Sequence, residues 1–254
     1  MSVLRQITNA VFVCLAATAT ALHAPAQAPD LPTIVTRMSA AQHEEQAKYG
    51  AYQLMRRYQV FDSDDKGKAR TELIAKIDFA PPGQKSYTIE KSTGGMGERA
   101  IRHALDHEVD LTKSPERVEM TERNYTFSYA GEETIAGERC YVLESHPKRN
   151  DSDLLKAKIW VDTDDFHIRR VSGHPQKSPS FWVKDVDLTL EYGQVHGMWM
   201  HTSTRAEAQI RFSGPFTLVS RDLSLQVAPQ VAKAQSRRQP RHEIFAGSAL
   251  HGIR

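Results

Sequence analysis

The chain has 254 residues, with 33 Lys and Arg against 31 Asp and Glu, so its formal net charge is only +2. A charge this close to zero produces no overall field that would attract a polyanion, and we expect no nucleic-acid partner. The length is sufficient for one large domain with its own hydrophobic core, without covalent cross-links.

The first 28 residues have the pattern of an export signal. Arg5 provides a positive start, residues 10–22 form an apolar run too short to cross a bilayer, and residues 26–28 read Ala-Gln-Ala, which is typical of a signal peptidase site. We therefore predict a cleavable signal peptide over residues 1–28 and a periplasmic mature protein. Removal of Cys14 leaves Cys140 without a disulfide partner, and we expect Cys140 to be a small buried strand residue.

The first half of the mature chain alternates between helical and strand periodicity. Apolar residues at helical spacing predict an amphipathic helix over residues 30–48, and a period of two then predicts three antiparallel strands. The sequence Gly94-Gly95-Met96-Gly97 predicts a hinge that leads into a second amphipathic helix ending near Leu111. The three strands are placed at 52–60, 73–79 and 87–89.

Strand patterns dominate the rest of the chain, with further strands predicted at 125–129, 141–143, 159–161, 166–168, 186–192 and 198–212. About ten strands with short connections predict an α+β, mostly β fold: a strongly curved antiparallel sheet that forms an unclosed barrel, with helices covering the concave face. The interior beneath the helices would be an apolar pocket. One domain is expected over 29–227, followed by a basic, disordered tail over 228–254.

The order and spacing of four strand-and-turn motifs carry a family resemblance. The motifs are Tyr125-x-Phe127-x-Tyr129-x-Gly131, Ile135-x-Gly137-x-x-Cys140-Tyr141-Val142-Leu143-x-x-x-Pro147, Lys158-Ile159-Trp160-Val161-Asp162 with Ile168-x-Arg170, and Tyr192-x-x-Val195-x-Gly197.

In this order the chain resembles the periplasmic outer-membrane lipoprotein-sorting proteins of the LolA and LolB type, and it is similar to the amino-terminal domain of the RseB regulator. The resemblance implies an unclosed barrel whose hydrophobic cavity receives the acyl chains of a lipoprotein or another lipid, with a membrane-associated acceptor and no cofactor. It also implies a gating arginine, for which Arg56 and Arg57 are the candidates.

Large aromatic and aliphatic side chains are the candidates for contact with such a ligand, because each covers a large apolar area. The glycine-hinged segment 96–111 is the predicted lid. The candidate cavity and lid residues are Tyr52, Arg56, Tyr58, Phe79, Tyr87, Ile101, Leu105, Phe127, Trp160 and Phe212.

Catalytic and metal-binding patterns are incomplete. His103 and His107 lie one helical turn apart, a spacing that can chelate zinc, but Ala104 stands where a metalloprotease has glutamate, so two histidines on a polar helix face remain the alternative. The segment 62–67 imitates the opening of a calcium loop, yet Leu73 occupies the position that needs a carboxylate. We predict no enzyme, no metal and no cofactor.

The sequence therefore predicts a non-enzymatic periplasmic carrier or chaperone that binds a lipid or lipidated protein. One alternative is an envelope sensor of the RseB type, in which the same cavity changes the affinity for a membrane partner. The other is a metal-dependent enzyme built on His103 and His107.

Overall fold

The computed structural model describes residues 29–62, 67–181, 183–211 and 214–228. The predicted signal peptide, the tail from residue 229 onward and Phe212 of the candidate site lie outside the described residues. No helix in the described part of the chain combines the length and the apolar character that a membrane-spanning helix needs.

The elements follow the predicted order of helix, three strands, helix and many strands. The helices are α1 (Leu31–Lys48) and α2 (Met96–Thr112), with a short 3-10 helix at Pro115–Arg117. The strands are β1 (Tyr52–Asp62), β2 (Thr71–Ala80), β3 (Gln84–Ser92), β4 (Tyr125–Ile135), β5 (Glu138–Pro147), β6 (Leu155–Asp162), β7 (Ile168–Pro175), β8 (Val183–Val195), β9 (Met198–Ile210) and β10 (Gly214–Val227).

The ten strands form one antiparallel sheet in the order β3-β2-β1-β10-β9-β8-β7-β6-β5-β4. Strands that follow one another in the chain pair with each other, except β3 and β4, which are separated by α2. Strand β1 also pairs with the distant β10 and so joins the two ends of the domain. The edge strands are β3 and β4, and the sheet does not close between them within the described residues. The predicted unclosed antiparallel barrel is confirmed.

Both helices lie on the same, concave face of the sheet. Directly paired residues of neighbouring strands point to the same face, so the pairings trace that face across the whole sheet. One row runs from Leu73 through Tyr58, Ser220, Thr204, Leu190, Val171 and Ile159 to Leu143.

The two ends of this face are covered by separate apolar clusters. Ile34, Val35 and Met38 of α1 pack onto the inner residues of β5, β6 and β7. Ile101 and Leu105 of α2 pack onto the inner residues of β1 and β2. All five side chains are at most 2% exposed, so each helix is anchored by an apolar stripe along one face.

Local sequence explains where each helix begins. The Asp30 carboxylate accepts a hydrogen bond from the Thr33 backbone N–H (3.1 Å), which caps α1. Before α2, Gly94 and Gly95 have φ values of 75° and 89°, in the left-handed region that only glycine adopts without strain. Gly95 provides no side-chain cap, and α2 therefore begins less firmly than α1.

Two local features differ from the expected strands. Phe166 was expected at the start of a strand, but it lies in the turn before β7 with a φ of 63°, and its ring is buried beneath α1. Strand β10 was not predicted as a separate element, because its apolar residues alternate weakly with Ser, Thr, Arg and Asp. Its pairing with β1 fixes it as an inner strand of the sheet.

Replacement of Gly97 by alanine is expected to disturb the packing of α2 on β2 and to lower the free energy of unfolding. A Cβ atom at Gly97 would lie 2.5 Å from Thr71 Oγ1 and 2.8 Å from Thr71 Cβ, closer than atoms pack. Overpacking of this kind costs about 1 to 3 kcal/mol in free energy of unfolding. Urea unfolding of Gly97→Ala measures the loss.

Gly193→Ala is the matched control. A Cβ atom at Gly193 would meet only Thr202 Cγ2, at an ordinary contact distance of 3.8 Å. Its free energy of unfolding should stay within about 0.5 kcal/mol of the wild-type value. Equal losses in the two variants would contradict a tight contact between α2 and β2.

Candidate functional site

The concave face has a central stretch that the helices leave half-exposed. α2 packs on β2 and β3, while α1 packs on β4 and on β9 near Trp199. Between these contacts, six half-buried apolar residues form what we call the apolar floor. They are Val186, Leu188, Ala206, Ala208, Phe216 and Leu218.

The apolar floor has a channel-like cross-section because its central strand carries small side chains. Ala208 lies between Val186 and Phe216, and Ala206 lies between Leu188 and Leu218. The intervening residues of β9, such as Glu207, are exposed on the opposite face. The apolar side chains of the floor are thus larger on β8 and β10 than on β9, the strand between them.

Beyond the apolar floor, the same face becomes polar. Tyr58 pairs with Ser220, and Ser220 pairs with Thr204, so these three residues form the next row. Arg56 and Asp222 form the row after it. Arg56 is only 4% exposed, and a buried guanidinium requires compensating charge.

Two carboxylates provide that compensation, and a second cation binds one of them. Arg56 Nε donates to Asp222 Oδ1 (2.5 Å), and Arg56 Nη1 donates to Glu108 Oε2 of α2 (3.1 Å). Lys85 Nζ of β3 donates to Glu108 Oε1 (2.9 Å). These four side chains, which we call the ion network, tie α2 to three strands.

Burial and the charges of the ion network shift the pKa values of its carboxylates and of a neighbouring histidine. Burial opposes the ionisation of Glu108, but Arg56 and Lys85 outweigh it and lower the pKa of Glu108 to about 2. Burial raises the pKa of Asp222, an effect that Arg56 only partly offsets. Burial and the charge of Arg56 lower the pKa of His201 to about 3, and the neutral ring lies 2.7 Å from Thr204 Oγ1.

Two buried polar atoms beside the ion network lack hydrogen-bond partners among the described residues: the Tyr58 hydroxyl and Asp222 Oδ2. Tyr58 as a whole is 4% exposed. Buried polar atoms are nearly always paired in folded proteins, so these two atoms are an unsatisfied polar position beside the ion network.

A cluster of three aromatic rings lies beyond Arg56, at the beginning of β1. The Tyr52 and Phe79 rings stack with centroids 4.9 Å apart, and Tyr49, which follows α1 directly, meets both rings edge-on. Burial raises the pKa of Tyr52 to about 12. An open cleft of about 640 Å³ lies beside Tyr52, Phe79 and Lys85 at this end of the sheet.

The remaining candidates from the sequence fall in several places. Ile101 and Leu105 of α2 are buried against the sheet, and Tyr87 donates a hydrogen bond from its hydroxyl to Asp106 of α2 (2.7 Å). Phe127 packs at the distant end of the concave face, in the cluster covered by α1. The structure therefore does not bring Phe127 together with Arg56 and Tyr58.

Trp160 does not lie on the concave face. It packs with Cys140 and Val142 in a separate cluster on the opposite face, and its indole N–H donates to Glu133 Oε2 (2.8 Å). The alternation of β6 explains this, because Ile159 and Val161 occupy the concave side. This position removes Trp160 from the residues that could line the interior.

Cys140 is fully buried, and burial raises the pKa of its thiol to about 11.

The two histidines of α2 point away from the sheet and are exposed. His107 Nε2 lies 3.5 Å from Asp153 Oδ1, in the connection between β5 and β6. Within the described ranges, no group of three or more His, Cys, Asp or Glu residues is placed to hold a metal ion.

Lys85, Glu108, Asp222 and His201 were missed by sequence reasoning. The sequence does indicate that Arg56 needs an ion-pair partner, because Arg56 shares its strand face with Leu54, Tyr58 and Val60. A charge on an apolar face requires such a partner. Nothing in the sequence identified the Arg56 partners Glu108 and Asp222, which lie 52 and 166 residues farther along the chain.

Comparisons with known proteins give distant similarities. A family model described as an uncharacterized protein matches residues 116–213, and none of the curated proteins matches the chain. Among solved structures, a DUF1329 family protein from Desulfovibrio piger is 14% identical, with 79% of this chain and 95% of that chain covered and a TM-score of 0.42.

A LolA superfamily protein from Nitrosomonas europaea is 13% identical, with 79% of this chain and 94% of that chain covered and a TM-score of 0.38. The MucA/MucB complex of Pseudomonas aeruginosa includes a chain that is 9% identical, with 77% of this chain and 98% of that chain covered and a TM-score of 0.26. The structural neighbours thus include a LolA superfamily protein, as the resemblance predicts. The sequence identities and TM-scores are too low to support an argument about function.

Replacement of Arg56 by glutamine is expected to destabilise the protein by about 3 kcal/mol or more, because it leaves Asp222 buried beside Glu108 without a cation between them. Arg57→Gln is the control, since Arg57 lies on the opposite face of β1. Urea unfolding of both variants provides the comparison. A loss below about 1 kcal/mol for Arg56→Gln would argue against a structural ion network.

His201 is expected to make stability depend on pH. Its imidazole binds a proton near pH 6.5 in the unfolded chain but only near pH 3 in the folded one, so the free energy of unfolding falls as pH falls between these values. The loss should approach about 1 kcal/mol per pH unit. His201→Gln should flatten the profile between about pH 6.5 and 4.5, above the range in which Glu108 contributes.

His146→Gln serves as the control for that profile, because His146 is exposed on β5. Its urea-unfolding stability should follow the wild-type pH dependence. If His201→Gln retained the wild-type slope, the buried neutral imidazole would not be its source.

Proposed function

We propose that this protein is a non-enzymatic periplasmic carrier that holds an acyl chain, free or attached to a lipidated protein, on the apolar floor. The observation that supports this proposal most directly is the composition and burial of that floor: six apolar side chains, all only partly buried, lie together on the concave face, on strands between those that α1 and α2 cover. An unpaired apolar strip in such a position is typical of a ligand groove.

Few contacts attach α2 to the sheet, as would be expected for a lid that opens. The helix begins at a glycine without a side-chain cap, follows two glycines with positive φ, and buries only Gly97, Ile101 and Leu105. At its far end it is held by the ion pairs of Glu108 with Arg56 and Lys85. Few buried contacts mean a low free energy for local opening, which a lid requires.

The chemistry of the apolar floor supports a carrier rather than a catalyst. Its six side chains are aliphatic or aromatic and supply no nucleophile, acid or base. An acyl chain lying there would gain roughly 0.8 kcal/mol for each methylene that it buries. Transfer to a membrane-associated acceptor would then require no covalent step.

Replacement of Ala208 by tryptophan should fill the channel between Val186 and Phe216. The probe is methyl parinarate, a fluorescent acyl chain without a charged head group. We expect Ala208→Trp to weaken its binding at least tenfold, because the indole occupies the space of the chain. Fluorescence titration of the mature protein measures the binding.

Glu207→Trp is the matched control, since Glu207 is exposed on the opposite face of the same strand. It should bind methyl parinarate with wild-type affinity. Circular dichroism of both variants checks the fold. Equal binding by Ala208→Trp and the wild type would refute the apolar floor as the acyl site.

A further inference from the structure

We infer that the ligand has an amide head group, which binds between the Tyr58 hydroxyl and Asp222 Oδ2 while its acyl chain lies on the apolar floor. This inference rests on the proposed function and specifies the chemical class of its ligand. It follows from three properties of the polar end of the groove: its position, its charge balance and its two unpartnered atoms.

The polar atoms lie next to one end of the apolar floor, where the acyl chain is proposed to bind. The row of Leu188, Ala206 and Leu218 is followed directly by the row of Thr204, Ser220 and Tyr58 on the same face. Residues two apart in a strand are separated by about 7 Å. An acyl chain that lies along the apolar floor therefore presents its head group to Tyr58 and Asp222.

The charge balance disfavours a charged head group. Arg56 and Lys85 contribute two positive charges, and Glu108 and Asp222 contribute two carboxylates that already bind them. His201, next to them, lies in contact with Thr204 and adds no charge in its neutral form. A carboxylate or ammonium entering this buried region would remain uncompensated, which is costly.

The two unpartnered atoms specify the hydrogen bonds that are required. The Tyr58 hydroxyl can donate a hydrogen bond, whereas Asp222 Oδ2, when ionised, can only accept one. One ligand group that satisfies both must therefore accept and donate. An amide does so through separate carbonyl and N–H groups, which suits two partners on neighbouring strands.

Displacement of bound methyl parinarate by three ligands of equal chain length tests this inference. Palmitamide accepts and donates, methyl palmitate only accepts, and palmitate carries a negative charge. We expect palmitamide to displace the probe at a concentration at least tenfold below that of either other ligand. An N-palmitoylated tetrapeptide added as a fourth ligand distinguishes an amide in a lipidated polypeptide from one in a free lipid.

Tyr58→Phe provides the second part of the test. The hydroxyl proton has no acceptor among the described residues, so its removal should leave the urea-unfolding midpoint nearly unchanged, yet it should weaken palmitamide binding about tenfold. Tyr129→Phe is the control, since Tyr129 is 44% exposed on β4 and should leave both quantities unchanged.

The outcomes separate this inference from the proposed function. Equal displacement by palmitamide and methyl palmitate, stronger displacement by palmitate, or unchanged palmitamide binding in Tyr58→Phe would each overturn the amide assignment while the acyl carrier remains. Failure of methyl parinarate and of all added ligands to bind the wild-type protein would overturn both proposals.

Discussion

The buried guanidinium of Arg56 is the constraint on which the rest of the concave face depends. A cation that is 4% exposed must be neutralised within the protein, and its partners come from β10 and α2. The same contacts therefore fix the pairing of β1 with β10, which joins the two ends of the domain, and hold the second helix over the sheet. Lys85 extends the connection to the edge strand β3.

This arrangement divides the concave face into regions with different properties. Under α1 and α2, apolar side chains are packed and dry. Between the helices, the apolar floor remains half-exposed, and beyond it lies the polar region around Arg56 and Tyr58. Burying charge is an expensive way to attach a helix, since an apolar contact of equal size is often more stable. An ion network of this kind attaches the helix at one specific position on the sheet.

Much of the fold was predictable from periodicity. The change from helical spacing to alternation located α1, α2 and most strands, and the glycines before Met96 located the start of α2. Phe166 was misplaced because a turn residue with positive φ can still bury its ring. Trp160 was assigned to the interior because alternation gives two faces without saying which of them is concave. Strand β10 escaped because its inner residues include Ser220 and Asp222, which alternation counts as outward positions.

The sequence by itself determined the class of fold, the open antiparallel sheet with two helices, and the presence of a charge on the inner face of β1. These properties depend on local spacing, which the linear chain contains. Only the tertiary structure decided that Arg56 meets Glu108 and Asp222, that the Tyr58 hydroxyl has no acceptor among the described residues, and that the apolar floor lies on β8, β9 and β10. Arg56 and Asp222 are 166 residues apart, and contacts at such a separation follow from strand order and register, which no local pattern encodes.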